Sequence, residues 1–406
     1  MEKQKCPELR FSQYKNDWYE TTLGDVVDIV GGGTPDTNVS EFWNGDIDWY
    51  SPTEIGENVY ANGSTKKITA LGLKNSSAKI LPAKKTVLFS SRAGIGDMAI
   101  LDKPAATNQG FQSFVANNID VYFLYSMGVK IKKFALSKAS GSTFLEISRN
   151  QLAQMEFLAP SIDSNEQTQI GNFFQNLDQS IALHQKKLAQ TQNLKKAMLE
   201  KMFPKAGSKQ PEIRLKGFSG EWQLDAIGNV LQEVFRPINL DNETKYRLVT
   251  VKRRNGGIAE RAVLKGKDIL VKSQFEVKAG DYVISKRQVV HGATGLVPHE
   301  LDGSIVSNEY LVGQSTDKLN IEFFALLSTL PEMYKKFFLS SYGVDIEKLF
   351  FDVNDWKKRE ILLPSLAEQI QISVFFKQLD ETLALQQQQL QTLKNLKQAF
   401  LEKMFV

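Results

Sequence analysis

Three stretches of this chain carry residue types that could do chemistry. Val27-Asp28-Ile29-Val30-Gly31-Gly32-Gly33-Thr34 reads as a strand opening into a glycine-rich loop. Such a loop cradles a nucleotide or S-adenosylmethionine when a helix N-terminus follows it directly. Here Pro35 and a Thr/Asn/Ser-rich, Trp-containing loop follow instead, so the sequence argues against a cofactor site. Asp268 with Glu276-Val277-Lys278 has the spacing of a metal-dependent nuclease core, where two carboxylates hold Mg2+ and a lysine assists the attacking water. The pattern is short, the first half of the chain holds no counterpart, and a solvated strand edge accounts for the same residues. No P-loop, no Asn-Pro-Pro-aromatic amino-methyltransferase motif and no nucleophile triad occurs. With three histidines and the single Cys6, no metal site is visible from spacing. The expectation is a chain without catalytic machinery of its own.

Recognition chemistry is better represented. One region combines basic turns, aromatics and amide or hydroxyl side chains at Thr34, Trp43, Trp49, Tyr50, Thr53, Lys66, Lys67, Ser91, Arg92, Asn108 and Gln109. A second does so at Tyr246, Lys252, Arg253, Arg254, Asn255, Lys286, Arg287, Gln288, His291, Asn308 and Tyr310. Arginine and lysine bridge phosphates or guanine edges, while Asn and Gln can read adenine. Trp43 and Trp49 fit a core role equally well. The net charge of +4 decides nothing, but its distribution does. Residues 1–60 hold 4 Lys+Arg against 12 Asp+Glu, residues 61–150 hold 13 against 4, and residues 245–290 hold 12 against 4. Two basic zones in two halves favour a nucleic-acid partner over two merely solvated faces.

The elements that must position these residues come in two copies. Gln167, Ile170, Phe173-Phe174, Leu177-Asp178 and Leu199-Glu200-Lys201-Met202-Phe203 return as Gln369, Ile372, Phe375-Phe376, Leu379-Asp380 and Leu401-Glu402-Lys403-Met404-Phe405. In the first copy, steps of four and three link Phe174, Leu177, Ile181, His184 and Leu188, an a/d seam of coiled-coil type. Phe376, Leu379, Leu383, Gln386 and Leu390 form the second seam. No Gly or Pro interrupts positions 173 to 203, and from each copy a helix of about 38 residues, Glu166 to Phe203 in the first, is expected to run ~57 Å at ~1.5 Å per residue. Pro7-Glu8-Leu9-Arg10 and Trp18 likewise reappear as Pro211-Glu212-Ile213-Arg214 and Trp222. Each half then follows one plan: a β-rich stretch, an amphipathic helix (about 119–137 and 321–340), a short β-like stretch ending in Pro, and the long helix. The first helix is followed by a linker and Pro211, whereas the second ends at Val406, so the segment from Pro7 is expected beside the C-terminal helix end. The organisation is then circular. The expected boundaries are 1–160 and 213–364 for the recognition domains, 161–205 and 365–406 for the spacer helices, and 206–212 for the linker.

Length implies more than one domain. A hydrophobic share of 42% with 24% charged residues is that of a soluble globular protein. No apolar run reaches membrane-spanning length, the charged N-terminus is not a signal peptide, and one cysteine fits a reducing compartment. The expected location is cytoplasmic, with no membrane partner.

Several motifs resemble a known family. Gly32-Gly33-Thr34-Pro35, Trp43-Asn44-Gly45-Asp46-Ile47-Asp48-Trp49, Leu71-Gly72-Leu73-Lys74-Asn75-Ser76-Ser77-Ala78, Leu88-Phe89-Ser90-Ser91-Arg92-Ala93-Gly94-Ile95-Gly96 and Ala106-Thr107-Asn108-Gln109-Gly110-Phe111 resemble a target-recognition domain of a type I restriction–modification specificity subunit. The two repeated helices resemble that family's conserved regions. Gly280-Asp281-Tyr282-Val283-Ile284-Ser285, the turn at 292–295 and Ser307-Asn308-Glu309-Tyr310 match a second such domain in outline. The resemblance covers essentially the whole chain. It implies an α+β fold with two target-recognition domains separated by two long antiparallel coiled-coil helices, a pseudo-two-fold internal repeat in circular organisation. It also implies double-stranded DNA as ligand, two methyltransferase (modification) subunits and motor-nuclease (restriction) subunits as partners. S-adenosylmethionine, ATP and Mg2+ would then sit on those partners, with no cofactor on this chain.

The reading is a non-catalytic DNA specificity subunit recognising an asymmetric bipartite target, because the two recognition regions diverge. Its rivals are a stand-alone nuclease using Asp268, Glu276 and Lys278, and a scaffold whose basic zones merely solvate. An antiparallel helix pair further predicts His184 and Gln386 near one another in the seam.

Overall fold

In a computed structural model, residues 6–92, 94–141, 145–346 and 349–406 are described. The chain forms two compact units, Met1–Lys187 with Gln386–Val406, and Leu188–Leu385. Each unit is therefore discontinuous or bounded within the long helices, as a circular arrangement requires.

The first unit contains β1 (Tyr19–Thr22), α1 (Leu23–Val26), β2 (Val27–Gly31), β3 (Trp43–Tyr50), β4 (Tyr60–Ala61), β5 (Lys66–Ile68), α2 (Ala70–Lys74), β6 (Thr86–Phe89), β7 (Met98–Leu101), β8 (Ala106–Thr107) and β9 (Gln112–Ala116). Then come α3 (Val121–Ser126), α4 (Gly128–Lys138), α5 (Arg149–Ala153), β10 (Glu156–Ala159) and the start of α6 (Glu166–Lys201). A five-stranded sheet has the order β2-β9-β6-β7-β4, and a three-stranded sheet has the order β5-β3-β8. Every residue of β6 and β7 is buried, which is why Val87–Phe89 and Met98–Leu101 read as apolar runs, while the buried Thr86 hydroxyl donates to Pro82 O at 2.7 Å. The pleat divides them: Val87, Phe89 and Ile100 join Phe123, Phe174 and Phe405 on the helical face, while Leu88, Ala99 and Leu101 meet Tyr50 and Phe111 on the other.

The second unit contains β11 (Gln223–Ala226), α7 (Ile227–Val230), β12 (Gln232–Glu233), β13 (Pro237–Ile238), β14 (Lys245–Val251), β15 (Ile258–Lys265), β16 (Gln274–Val277), β17 (Tyr282–Ser285), β18 (Thr294–Leu296), β19 (Ser304–Ser307) and β20 (Tyr310–Gln314). There follow α8 (Ile321–Leu327), α9 (Pro331–Leu339), β21 (Ser341–Tyr342), β22 (Phe350–Phe351), α10 (Val353–Lys357), β23 (Glu360–Leu363) and the start of α11 (Leu366–Lys403). Its four-stranded sheet, β12-β20-β17-β18, repeats the order β2-β9-β6-β7. A second sheet, β13-β16-β19-β14-β15, has no counterpart of the same order among the described residues of the first unit. The closing pairs β1–β10 and β11–β23 match strand for strand.

Each expected amphipathic helix is two helices. The first is divided at Met127-Gly128. The second is divided before Pro331, which lacks an N–H for the preceding turn and is well suited to start α9.

Within each unit, the segments of α6 and α11 run antiparallel. In the first, Phe173 meets Phe400 with ring centroids 4.9 Å apart, and Lys397 Nζ lies 2.5 Å from Asp178 Oδ1. In the second, Lys195 pairs with Asp380 and Phe203 meets Phe376 at 6.2 Å. Phe174, Phe376 and Leu390 are buried in the seam, and Leu177, Ile181, His184, Leu188, Leu379, Leu383 and Gln386 are half-buried. His184 turns Nδ1 to Ser180 O of its own helix at 2.9 Å, while Gln386 Oε1 is buried with no hydrogen-bond partner among the described residues. The Asp178–Lys397 register sets Gln391 across from His184, with Gln386 beyond the next turn.

The circular closure is explicit. Leu9 N–H donates to Lys403 O at 2.9 Å, just as Ile213 N–H donates to Lys201 O at 2.9 Å. Gln167 accepts from Asp120 N–H and donates to Pro160 O; Gln369 accepts from Asn320 N–H and donates to Pro364 O.

Candidate nucleic-acid interface

The glycine run after β2 packs against protein. Gly33 N–H donates to Thr107 O at 2.8 Å, and a Cβ on Gly32 would lie 1.9 Å from Asn108 O. A Cβ on Gly33 would lie 2.3 Å from Ser77 Oγ. The glycines let this loop approach its neighbours closely, which is their physical requirement here. Trp49 is buried and donates from Nε1 to Gly33 O at 2.8 Å. Trp43 donates to Asp36 O at 3.1 Å and stands edge-on to Trp49, ring centroids 5.1 Å apart. Both tryptophans thus hold the loop, with Lys66 Nζ 6.0 Å from the Trp43 ring.

That packing gathers several of the expected recognition residues. Thr34 is hydrogen-bonded to Gln109, and Asn108 Oδ1 accepts from Gly110 N–H at 2.8 Å. Ser91 N–H donates to Gly110 O at 2.8 Å, placing the end of β6 beside the same loop. Ser91 itself is fully buried and offers no side-chain surface to a ligand; Arg92, next along, is half-buried and bridges Glu146 through the backbone. In the Leu88–Gly96 motif, Ala93 lies outside the described residues. Lys66 and Lys67 stand on β5, exposed, with Lys67 Nζ 3.3 Å from Asp48 Oδ1.

In the second unit the grouping is tighter. Arg254 and Asn255 hold positive φ angles of 58° and 55° in the turn between β14 and β15. Their N–H groups donate to His291 O at 2.7 Å and Gly292 O at 2.9 Å. Left-handed backbone at two successive non-glycine residues is sparsely populated, so the turn is held by those bonds. Arg253 Nε donates to Gln288 Oε1 at 2.7 Å. Lys286 Nζ donates to Asn308 O at 2.8 Å. Arg287 forks Glu309, Nε to Oε2 at 2.6 Å and Nη2 to Oε1 at 3.2 Å. Tyr310 pairs with Ser285 across the β17–β20 ladder. Arg253 and Arg254 from the β14–β15 turn, Lys286, Arg287, Gln288 and His291 from the β17–β18 connection, and Asn308 and Tyr310 from the β19–β20 connection are therefore joined where three turns converge. Hydrogen bonding and charge from Arg287 outweigh partial burial and hold the Glu309 carboxyl below its ordinary value.

Sequence reasoning passed over Glu309, which stands between two residues it selected. It also passed over Asp48, the partner of Lys67. The signal for both is strand register: Asp48 lies opposite Lys67 in the β3–β5 ladder, and Glu309 lies opposite Lys286 one step beyond the end of the β17–β20 ladder.

The nuclease alternative finds no support. Asp268 is exposed at the end of a short turn, Lys278 is exposed, and Glu276 is half-buried in β16. Asp281, three residues beyond Lys278, is forked by Arg236 at 2.6 and 3.1 Å. Among the described residues, no group of three or more His, Cys, Asp or Glu could hold a metal ion. No helix among them is long and apolar enough to cross a membrane.

Comparison with known proteins agrees with this geometry. A family model described as a type I restriction modification DNA specificity domain matches residues 15–193 and again 221–395. The type I restriction enzyme MjaIX specificity subunit of Methanocaldococcus jannaschii is 32% identical over 198 residues, 48% of this chain and 44% of that one. The EcoR124I/EcoR124II specificity subunit of Escherichia coli is 32% identical over 180 residues, 42% of this chain and 43% of that one. The chain thus matches less than half the length of these curated relatives. The fold is that of the crystal structure of a type I restriction–modification S subunit from M. genitalium, with a TM-score of 0.62, 14% identity and 99% of each chain covered.

Proposed function

Since the chain belongs to the type I restriction modification DNA specificity domain family, we propose that it is the DNA-recognising subunit of a type I restriction–modification complex. Each unit reads one half-site of an asymmetric bipartite target. The observation that carries this reading is the repeated four-strand sheet, each copy ending in an arginine-bearing turn, Arg92 or Arg287, within different surroundings. A shared frame with divergent loops reads two different sequences. Phosphate contacts from the exposed lysines and arginines set position, and the side chains of the converging turns reach base edges.

On the same reading the chain supplies no catalytic residue. Two methyltransferase subunits carrying S-adenosylmethionine, and motor-nuclease subunits using ATP and Mg2+, dock on it in the cytoplasm. The test is selection from a duplex library of randomised core sequence by the purified full chain at two salt concentrations. Two conserved blocks separated by an unread spacer, with affinity falling steeply as salt rises, are expected. A single block or no selected sequence overturns the proposal. Cleavage of plasmid by the chain alone with Mg2+ does so as well.

A further inference from the structure

The neighbour of the arginine-bearing turn differs between the units. In the first, Ser90 bridges Phe111 and Ser91 N–H donates to Gly110 O at 2.8 Å. In the second, Ser285 pairs with Tyr310 and Lys286 N–H donates to Glu309 O at 2.9 Å. This register makes Arg92 equivalent to Arg287, and Gly110 equivalent to Glu309. A glycine stands beside one arginine and a carboxylate beside the other.

The carboxylate leaves a defined part of Arg287 available. Glu309 takes the Nε–H and the neighbouring Nη2–H, the side-on edge of the guanidinium. The outer edge, made by Nη1 and the second hydrogen of Nη2, has no partner among the described residues, and the side chain is 73% exposed. That edge presents two parallel donors. We infer, resting on the function proposed above, that Glu309 is a positioning residue that holds Arg287 end-on toward the major-groove edge of a guanine in the second half-site.

Chemistry selects guanine. Its O6 and N7 are two acceptors matched to two parallel N–H groups, whereas adenine sets a donor at N6 beside its N7. A phosphate also accepts from arginine, but the adjacent Glu309 carboxylate repels it, so the pair suits a base edge better than the backbone. Holding the planar head in place removes motion that a free arginine would lose on binding. Lys286 suits the role less well, because its ammonium, already turned to Asn308 O, is a point charge without the two parallel, planar donors of a guanidinium. In the first unit, Gly110 gives Arg92 no such brace, so the two half-sites are read differently by equivalent arginines.

The test uses the purified full chain and the same randomised duplex library, with Arg287→Lys, Glu309→Gln, Glu309→Asp and Glu309→Ala variants. The wild type is expected to select a guanine at one position of the second block. Arg287→Lys and Glu309→Ala should lower that preference by roughly ten- to a hundred-fold while leaving the first block intact, which also controls for folding. Glu309→Asp should restore part of it, and Glu309→Gln less. A uniform loss across all sequences with a shallower salt slope assigns Arg287 to a phosphate and overturns the inference. So does an unchanged second block in these variants. If the wild type itself selects no sequence, the function proposed above falls first, and the inference with it.

Discussion

Arg10 and Glu166 lie 156 positions apart in the chain and form a two-pronged ion pair, Nε to Oε1 at 2.6 Å and Nη2 to Oε2 at 2.7 Å. Arg214 and Glu368 repeat it at 2.8 and 2.7 Å. Each pair ties the segment before a recognition region to the first turn of a long helix. Removing one partner of a buried pair strands the other, at about 3–5 kcal/mol. Glu166 is 1% exposed, so Arg10→Ala should destabilise the first unit by about that amount. Hydrogen exchange across 166–174 should accelerate while 368–376 stays protected. Equal protection in wild type and variant would show that the pair is idle.

Gly32 has no room for a side chain. Its Cβ would meet Asn108 O at 1.9 Å and Thr107 O at 2.5 Å, both backbone atoms. Gly32→Ala should therefore push the loop off its neighbours and destabilise the first unit by about 1–3 kcal/mol. Selectivity in the first half-site should fall and the second should persist. A variant with unaltered stability and unaltered selection would contradict the packing.

Glu54 supplies a pH dependence with a definite sign. Burial opposes its charge, but hydrogen bonds from Thr65 N–H at 2.6 Å and from Ser51 N–H at 2.7 Å and Oγ–H at 2.8 Å prevail together. Its carboxyl is thereby held below its ordinary value of 4.5. A carboxylate with a depressed folded pKa contributes stability above its unfolded pKa and loses it as pH falls through the folded value. Thermal melts from neutral pH to below 4.5 should converge for wild type and Glu54→Gln at the acid end. A constant gap across the range would rule out the titration.

Each recognition region should behave as a module. Replacing residues 24–160 with the corresponding region of another family member should change one half-site of the selected sequence only. Simultaneous change in both blocks would show that the regions are not independent.

The long helices can be tested as a ruler. Four residues inserted after Gln190 and four after Thr392 add ~6 Å to each helix. The half-sites should stay the same, and the unread spacer should lengthen by roughly one or two base pairs at ~3.4 Å each. An unchanged spacer would remove the helices from that role.

What the sequence determined by itself was whatever depends on near neighbours or on repetition. The α6 and α11 helices are legible because 3.5-residue spacing and helix-forming composition act over single turns. The repeated Arg10 and Arg214 anchors and the chain order also announced the circular closure that Leu9 and Lys403 make. The division of each amphipathic helix into two is not legible in the sequence, because a Gly or Pro at one site decides between a bend and a break only through the packing around it.

Only the tertiary structure decided the rest of the candidate interface. That Thr34 meets Gln109, that Arg253 meets Gln288, and that Arg254 rests on His291 are pairings between distant loops. That Glu309 rather than Asn308 braces Arg287 depends on ladder register, where a shift of one residue turns every side chain to the other face. Ser91, a candidate by type, is buried for the same reason. Residue type records what a side chain can bind; strand pairing over long sequence separations fixes which side chains stand together and face outward.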